Sequence, residues 1–119
     1  MSIAAAHASA FYREVASSEV VWSIRDLAGF PAPIGSDGAR AMPFWSSESR
    51  ALNIIQSVPA YSDFTPVAIE WSTFCERWIP GLSKDGLLVG LNWSGKSASG
   101  FDVHPINLQH NVEAMRKCT

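Results

Sequence analysis

Residues 87–104 predict a β-hairpin in the last third of the chain, which limits the folds open to the whole sequence. Over residues 87–93, apolar side chains occupy every second position, which is the period of a strand with one buried face. The residues predicted to share that face are Leu87, Val89, Leu91 and Trp93. Residues 94–100 form a turn rich in glycine and serine, and the alternation resumes over 101–104. Strands joined by so short a turn pair antiparallel, so an antiparallel or mixed sheet is predicted.

Part of this hairpin also matches a phosphate-binding motif. Residues 90–97 read Gly-Leu-Asn-Trp-Ser-Gly-Lys-Ser and fit the pattern G-x-x-x-x-G-K-[ST]. In nucleotide-binding proteins this pattern follows a buried strand and opens a helix, because the helix N-terminus faces the phosphates. Here the residues after Ser97 predict a strand, and Trp93 is bulky where the backbone must approach a nucleotide. The match is therefore interpreted as coincidence, and nucleotide binding through 90–97 is kept as an alternative function.

Helices are predicted where apolar residues recur at the spacing of one helical turn. The first such helix covers residues 3–17. A second begins after Ser46 or Ser47, because a serine hydroxyl can accept a hydrogen bond from an unpaired N–H of the first turn. Pro59 is predicted to end this second helix.

Two further helices are predicted in the second half of the chain. The third is capped by Ser72 or Thr73 and is stopped by Pro80 and Gly81, which are both unfavourable inside a helix. The last helix covers 105–117 and starts on a proline, a residue favoured at the first helical position.

The remaining elements are strands, predicted over 19–25, 30–35, 39–45 and 67–71. The first three form a meander, in which 30–35 is an edge strand because its two prolines cannot donate hydrogen bonds. The predicted fold is a single α+β domain over residues 1–119. It has an antiparallel or mixed sheet of about five to six strands, with helices packed on one face of it.

Composition and charge argue against several classes of function. Hydrophobic residues make up 47% and charged residues 17%, as in folded domains. The net charge is −2 and the nine basic residues are spread along the chain, so nucleic acid is not an expected partner. The apolar runs fall short of the roughly eighteen residues of a membrane span, so no membrane association is predicted. Cys75 and Cys118 lack a nearby partner cysteine, which indicates reduced thiols and a cytoplasmic location.

Catalytic and metal-binding constellations are not predicted. Asp102 and His104 share one strand face near several serines, but the G-x-S-x-G pattern of a nucleophilic serine does not occur. The histidines and cysteines lack the paired short spacing of zinc ligands. The chain is therefore predicted not to be an enzyme and to bind no metal and no cofactor.

The hairpin loop is the predicted recognition surface. Loops held on a rigid strand pair are common places for binding residues. This loop contributes Trp93, Ser94 and the cation Lys96 as candidate binding residues. Trp22 and Trp45 are further candidates, because with Trp93 they would line a pocket for a small molecule.

Three blocks of the sequence are typical of one protein family. The first contains Val21-Trp22, Asp26 and Gly29, and the second contains Pro43-Phe44-Trp45 and Ala51. The third and most specific runs from Phe74 through Trp78-Ile79-Pro80-Gly81-Leu82 to Asp85-Gly86. Over roughly residues 8–108 the chain resembles the bacterial family known as domain of unknown function 2750. The resemblance implies a compact bacterial α+β domain with no established activity, so it assigns no catalytic residue.

The function expected from these observations is non-enzymatic binding, with another protein as the partner. The excess of tryptophan supports this expectation, because tryptophan is enriched in interface hot spots. An immunity-type protein that inhibits a toxin is a more specific alternative, since such inhibitors are often small, mildly acidic α+β domains.

Overall fold

The helices and strands follow the predicted order with several differences in detail. A computed structural model describes residues 2–35 and 37–117. The helical elements are α1 (Ile3–Ser18), α2 (Glu48–Ser57), a 3₁₀ turn (Pro59–Tyr61), α3 (Trp71–Thr73), a π-helical segment (Phe74–Trp78), α4 (Ile79–Lys84) and α5 (Pro105–Lys117). The strands are β1 (Val20–Arg25), β2 (Ala41–Phe44), β3 (Thr65–Glu70), β4 (Leu88–Ser94) and β5 (Ser99–Val103).

The predicted ends of α1 and α2 are confirmed by their caps. Ser2 accepts a hydrogen bond from Ala5 N (3.1 Å) at the start of α1. The helix ends at Glu19, whose left-handed backbone (φ 60°) lets its N–H donate to Val15 O. At the start of α2, Ser47 accepts from Arg50 N (3.3 Å), which is one of the two predicted caps.

The predicted stop at Pro80 and Gly81 is wrong, because α3, the π-helical segment and α4 follow one another without a break. In the wider π turn the Ile79 N–H donates to Phe74 O. Pro80 follows this π turn directly, where the regular α-helical hydrogen-bond pattern is already interrupted, so its missing N–H does not end the helical run. The predicted serine or threonine cap is also wrong, since α3 begins at Trp71 without a side-chain cap.

The five strands form two sheets and not the single sheet predicted. Strands β1 and β3 form an antiparallel pair, while the three-stranded sheet is mixed, because β4 pairs parallel with β2 and antiparallel with β5. Trp22 and Trp45 exchange backbone hydrogen bonds of 2.8 and 2.7 Å, which link one sheet to the other. The α+β fold is therefore confirmed, with five strands in the part of the chain that the structure describes.

Residues 30–35 do not form the predicted strand, and the meander is wrong. Among the residues that the structure describes, the segment makes a single β-bridge, an antiparallel one from Ile34 to Arg40. Pro31 and Pro33 lack the N–H that a ladder needs. Strand β2 pairs instead with β4, which is distant in sequence and runs parallel to it. The turn predicted at 36–38 falls partly on residue 36, which lies outside the described residues.

Apolar side chains cover both faces of the sheet, so the predicted packing on one face is incomplete. One cluster joins the sheet to α1, α5 and the 71–84 helical run, with Phe11, Phe44 and Phe74 fully buried. The other cluster joins it to α2 around the fully buried Trp45. The radius of gyration of 13.2 Å is that of a close-packed domain of this length.

Candidate functional site

Strand β4 contains a β-bulge that reorients its last residues. Leu91 pairs with Phe101 and Ser94 pairs with Ser99, so β4 has one more residue than β5 between these pairs. Asn92 takes the left-handed conformation (φ 50°), which asparagine tolerates better than most residues. The extra residue reverses the alternation of side chains. Trp93 therefore packs in the α2 cluster, opposite Val89 and Leu91, and the predicted shared face is wrong for Trp93.

The Trp93 indole is seated over two glycines of the hairpin. A Cβ atom at Gly90 would fall within the ring, 2.6 Å from Cζ2, and one at Gly100 would lie 3.0 Å from Cδ1. The ring N–H donates to Asp102 Oδ1 (2.9 Å), and the backbone oxygen of Trp93 accepts from the Trp45 indole N–H (2.9 Å). Gly90 is therefore the position where an indole ring approaches the backbone closely, and its place in the phosphate-binding pattern reflects this packing.

A buried polar network holds the bulge to α1 and to the start of α2. The Asn92 side chain is 2% exposed and donates to His7 O (3.0 Å) and Ser46 Oγ (2.9 Å). Its carbonyl oxygen accepts from Ser46 N (2.9 Å). Because these bonds satisfy the amide, the bulge has one well-defined conformation.

Glu14 extends the network to Arg50. The Ser46 hydroxyl donates to Glu14 Oε1 (2.6 Å), and Arg50 donates to the same carboxylate through Nε and Nη2, each at 3.1 Å. The Arg50 guanidinium is the main reason that the pKa of Glu14 is lowered, against the opposing effect of burial. The carboxylate is therefore ionised at neutral pH and engaged on both oxygens.

Two cavities flank the hairpin, and Trp93 lines both. We call the first, of about 180 Å³, the His7–Arg50 cavity; its lining is His7, Arg50, Asn53, Ile54, Ser57, Asn92, Trp93, Ser94 and Gly95. We call the second, of about 410 Å³, the Asp37–Asp102 cavity. Its lining consists of these two aspartates together with residues 33–35, Ala41, Trp93 and residues 97–100. Binding of one partner to both cavities would enclose the hairpin tip.

The two cavities differ in charge. In the His7–Arg50 cavity the His7 ring Nδ1 lies 3.2 Å from Ser94 Oγ, and Arg50 supplies the formal positive charge. In the other cavity, partial burial raises the pKa of Asp102, the Trp93 N–H opposes this, and the nearby Asp37 raises it further. One side of the hairpin is therefore rich in hydrogen-bond donors and the other carries carboxylates.

A family model for a protein of unknown function, DUF2750, matches residues 8–112. The chain belongs to the DUF2750 family. The resemblance seen in the sequence blocks is thus confirmed over nearly all of the chain. No match to the chain was found among curated proteins or among solved structures.

This DUF2750 protein brings only some of the predicted binding residues together. Trp93 and Ser94 line the His7–Arg50 cavity, and Lys96 lies exposed at the adjacent turn. Trp45 is fully buried and Trp22 is half-buried, and both pack in the α2 cluster. Neither is among the described residues that line the two cavities.

Sequence reasoning missed the residues that face the hairpin from other elements. His7 comes from α1, while Arg50, Asn53 and Ser57 come from one face of α2. Nothing in their local pattern distinguishes them from surface residues. The available signal was Asn92, a polar residue in an otherwise apolar strand, since buried amides require partners.

The serine, histidine and aspartate considered for catalysis are not assembled. Asp102 lines one cavity beside the hairpin, while His104 lines a different cavity with Pro105 and Ile106. Among residues 2–35 and 37–117 no group of three or more histidine, cysteine or acidic side chains is placed to hold a metal ion. No helix in the same residues has the length and apolar content to cross a membrane.

A wider groove of about 530 Å³ lies between the end of α1, the start of α3 and α5, and we call it the acidic groove. Its charged lining residues are Glu19, Glu70, Glu76, Glu113 and Arg116. Glu113 accepts from the Trp71 indole N–H (2.6 Å), which is the main reason that its pKa is lowered. Burial raises the pKa of the Cys75 thiol in this groove to about 11, so this cysteine is a poor nucleophile at neutral pH.

Proposed function

We propose that this protein acts by binding another protein and not by catalysis, and that the β4–β5 hairpin with its two flanking cavities is the recognition surface. The observation that carries the proposal is the position of Trp93, which lines both cavities and is held on both strands of the hairpin. Because Trp93 is only 7% exposed, it fixes the walls of the two cavities from below, and contact with the partner falls to the exposed residues of the hairpin turn.

The rigidity of the hairpin supports a binding role. The Trp45 indole holds the Trp93 backbone, and Asn92 ties the bulge to α1. A preorganised surface loses little conformational entropy on association, so more of the contact energy remains as affinity. The recognition surface also includes exposed apolar area, because Ile34 beside the Asp37–Asp102 cavity is 62% exposed.

The Glu14 carboxylate also favours binding over acid–base catalysis. A general base needs a lone pair directed at the substrate. Both oxygens of Glu14 already accept hydrogen bonds from Ser46 and Arg50. Glu14 therefore stabilises the fold and positions the surface.

A more specific form of the proposal is an inhibitor that covers a toxin protein in the cytoplasm. The net charge of −2 fits the mildly acidic character of such inhibitors, and the free Cys75 suits a reducing compartment. Nucleotide binding through Gly90 to Ser97 has less support, because Ser97 is followed by β5 and Gly90 seats an indole ring.

The test compares two charge reversals at exposed lysines, Lys96→Glu at the hairpin turn and Lys84→Glu at the end of α4. Tagged wild-type and variant proteins are incubated with extract of the source organism, and the retained partner is identified and titrated by calorimetry. We expect Lys96→Glu to weaken binding about tenfold, or about 1.4 kcal/mol. Lys84→Glu should bind like the wild type. Equal retention by both variants, or no stoichiometric partner for the wild type, would contradict the proposal.

A further inference from the structure

We infer that the His7–Arg50 cavity is a binding site for a carboxylate group, supplied either by an acidic side chain of the partner or by a small carboxylic acid. The inference rests on the proposed function, because it names the chemical group that this part of the recognition surface receives.

The first observation is the chemistry of the cavity wall. None of the nine described lining residues is acidic, although the chain has eleven acidic residues and nine basic ones. Arg50, His7, Asn53, Ser57 and Ser94 are the polar side chains on the wall that are able to donate a hydrogen bond to a ligand, whereas the Asn92 amide is already engaged by His7 and Ser46. A carboxylate accepts hydrogen bonds and does not donate them, so it complements this wall.

The second observation is the orientation of Arg50. Its Nε and Nη2 atoms bind Glu14 side-on, and Glu14 lies outside the lining residues that the structure describes. The planar guanidinium keeps further N–H donors, including both on Nη1, which suit a second carboxylate. Its side chain is 30% exposed, so a ligand can reach these donors.

The third observation is that this arrangement exists before any ligand binds. Glu14 is fixed by the Ser46 hydroxyl, and Ser46 is in turn fixed by Asn92 in the bulge. Arg50 is thus already ordered, and binding a carboxylate costs little further side-chain entropy. The same Glu14 partly offsets the charge of Arg50, so the site suits a single anionic group of modest affinity.

The volume of the cavity limits the size of the ligand. At about 180 Å³ it is smaller than the sites of drug-sized ligands, which occupy roughly 300–1,000 Å³. It therefore accommodates one functional group with a short stem, such as the side chain of glutamate or aspartate, and not a whole nucleotide.

The test is a titration of the ¹⁵N-labelled full-length chain, followed by NMR, with three probes. They are blocked glutamate (N-acetyl-glutamate N-methylamide), the matching blocked glutamine, and acetate. The amide groups of Asn53, Ser94 and Gly95 report on the cavity. We expect saturable shifts at these groups with blocked glutamate but not with blocked glutamine, because only the carboxylate complements the wall.

Two matched variants on α2 locate the site. Asn53 lines the cavity, whereas Gln56 is exposed on the same helix and is not among the described lining residues. Asn53→Asp should weaken the binding of blocked glutamate at least about tenfold by charge repulsion, and Gln56→Glu should change it less than about twofold. Both residues are exposed, so both variants are expected to fold.

Each outcome decides the inference separately from the proposed function. Equal shifts with the two blocked amino acids, or equal weakening by the two variants, would overturn the carboxylate site while leaving capture of a partner through the hairpin intact. Carboxylate binding with no protein partner would retain the site and reject the proposed function. Tighter binding of blocked glutamate than of acetate would assign the carboxylate to a peptide side chain, and equal binding would assign it to a small acid.

Discussion

Substitution of Gly90 by alanine tests how the Trp93 ring is held between the strands of the β4–β5 hairpin. The added methyl group would lie 2.6 Å from Trp93 Cζ2 and nearer still to Cε2 and Nε1. Gly90 does not belong to the glycines with positive φ, so backbone strain contributes nothing to the effect. The expected destabilisation comes from the collision with the ring alone.

The ring cannot move away without losing other interactions. Its N–H is bonded to Asp102 (2.9 Å), and Gly100 lies directly beneath its Cδ1 edge. Overpacking a tight site costs about 1–3 kcal/mol. Loss of the hydrogen bond adds about 0.5–1.5 kcal/mol, and the better conformational preference of alanine returns about 0.5–1 kcal/mol. We therefore expect Gly90→Ala to lower the free energy of unfolding by about 2 kcal/mol, within bounds of about 0.5 and 4 kcal/mol, measured by urea denaturation followed by circular dichroism.

Gly81→Ala is the matched control. Gly81 lies in α4, has no positive φ, and its added methyl would meet no atom within 4 Å among the described residues. This substitution should stabilise the protein by about 0.5–1 kcal/mol. In a Trp93→Leu background, Gly90→Ala should cost less than about 1 kcal/mol, because the ring is gone. The close contact between Gly90 and the indole ring would be refuted if the Gly90→Ala variant were as stable as the wild type. It would also be refuted if Gly90→Ala lowered the free energy of unfolding by the same amount in the Trp93→Leu background.

Two further predictions concern polar groups in the core and the network. Ser23 is fully buried and its hydroxyl has no hydrogen-bond partner among the described residues; Ser23→Ala should therefore raise the free energy of unfolding by about 1 kcal/mol. As a control, Ser99→Ala at an exposed position should change the free energy of unfolding by less than about 0.5 kcal/mol. If Ser23→Ala lowered the free energy of unfolding, the Ser23 hydroxyl would have a hydrogen-bond partner. The pKa of Glu14 is lowered in the folded protein; its stabilising effect is therefore present above the unfolded pKa, about 4.3, and is lost as the pH falls through the folded pKa. Glu14→Gln should thus destabilise most at pH 7 and progressively less below about pH 4 in urea unfolding, whereas a difference independent of pH would contradict the Arg50–Glu14 interaction.

The parts of this fold that follow from local sequence patterns were predictable. The spacing of apolar residues and the flanking serine or proline located α1 and α5, and the alternation located β1 and β4. The hairpin and its binding candidates Trp93 and Ser94 followed from the same pattern. These features depend on the repeat of apolar residues along a helix or strand and on the reversal of the chain at a turn. Residues close together in the sequence determine both.

Other features depend on contacts between distant residues. The parallel pairing of β2 with β4 and the continuation of the helix through Pro80 both differ from the local expectation. The sequence pattern of a strand does not identify the strand with which it pairs. The pattern around Pro80 likewise does not reveal the π turn that precedes this proline and keeps it within the helical run.

The proposed recognition site shows the same division most clearly. The alternation of apolar residues was enough to predict that β4 and β5 form a hairpin. The bulge at Asn92 depends on distant residues, because only in the fold do His7 O and Ser46 lie where they satisfy its amide. That bulge turns Trp93 to the face where α2 brings Arg50, and the site exists only through that packing.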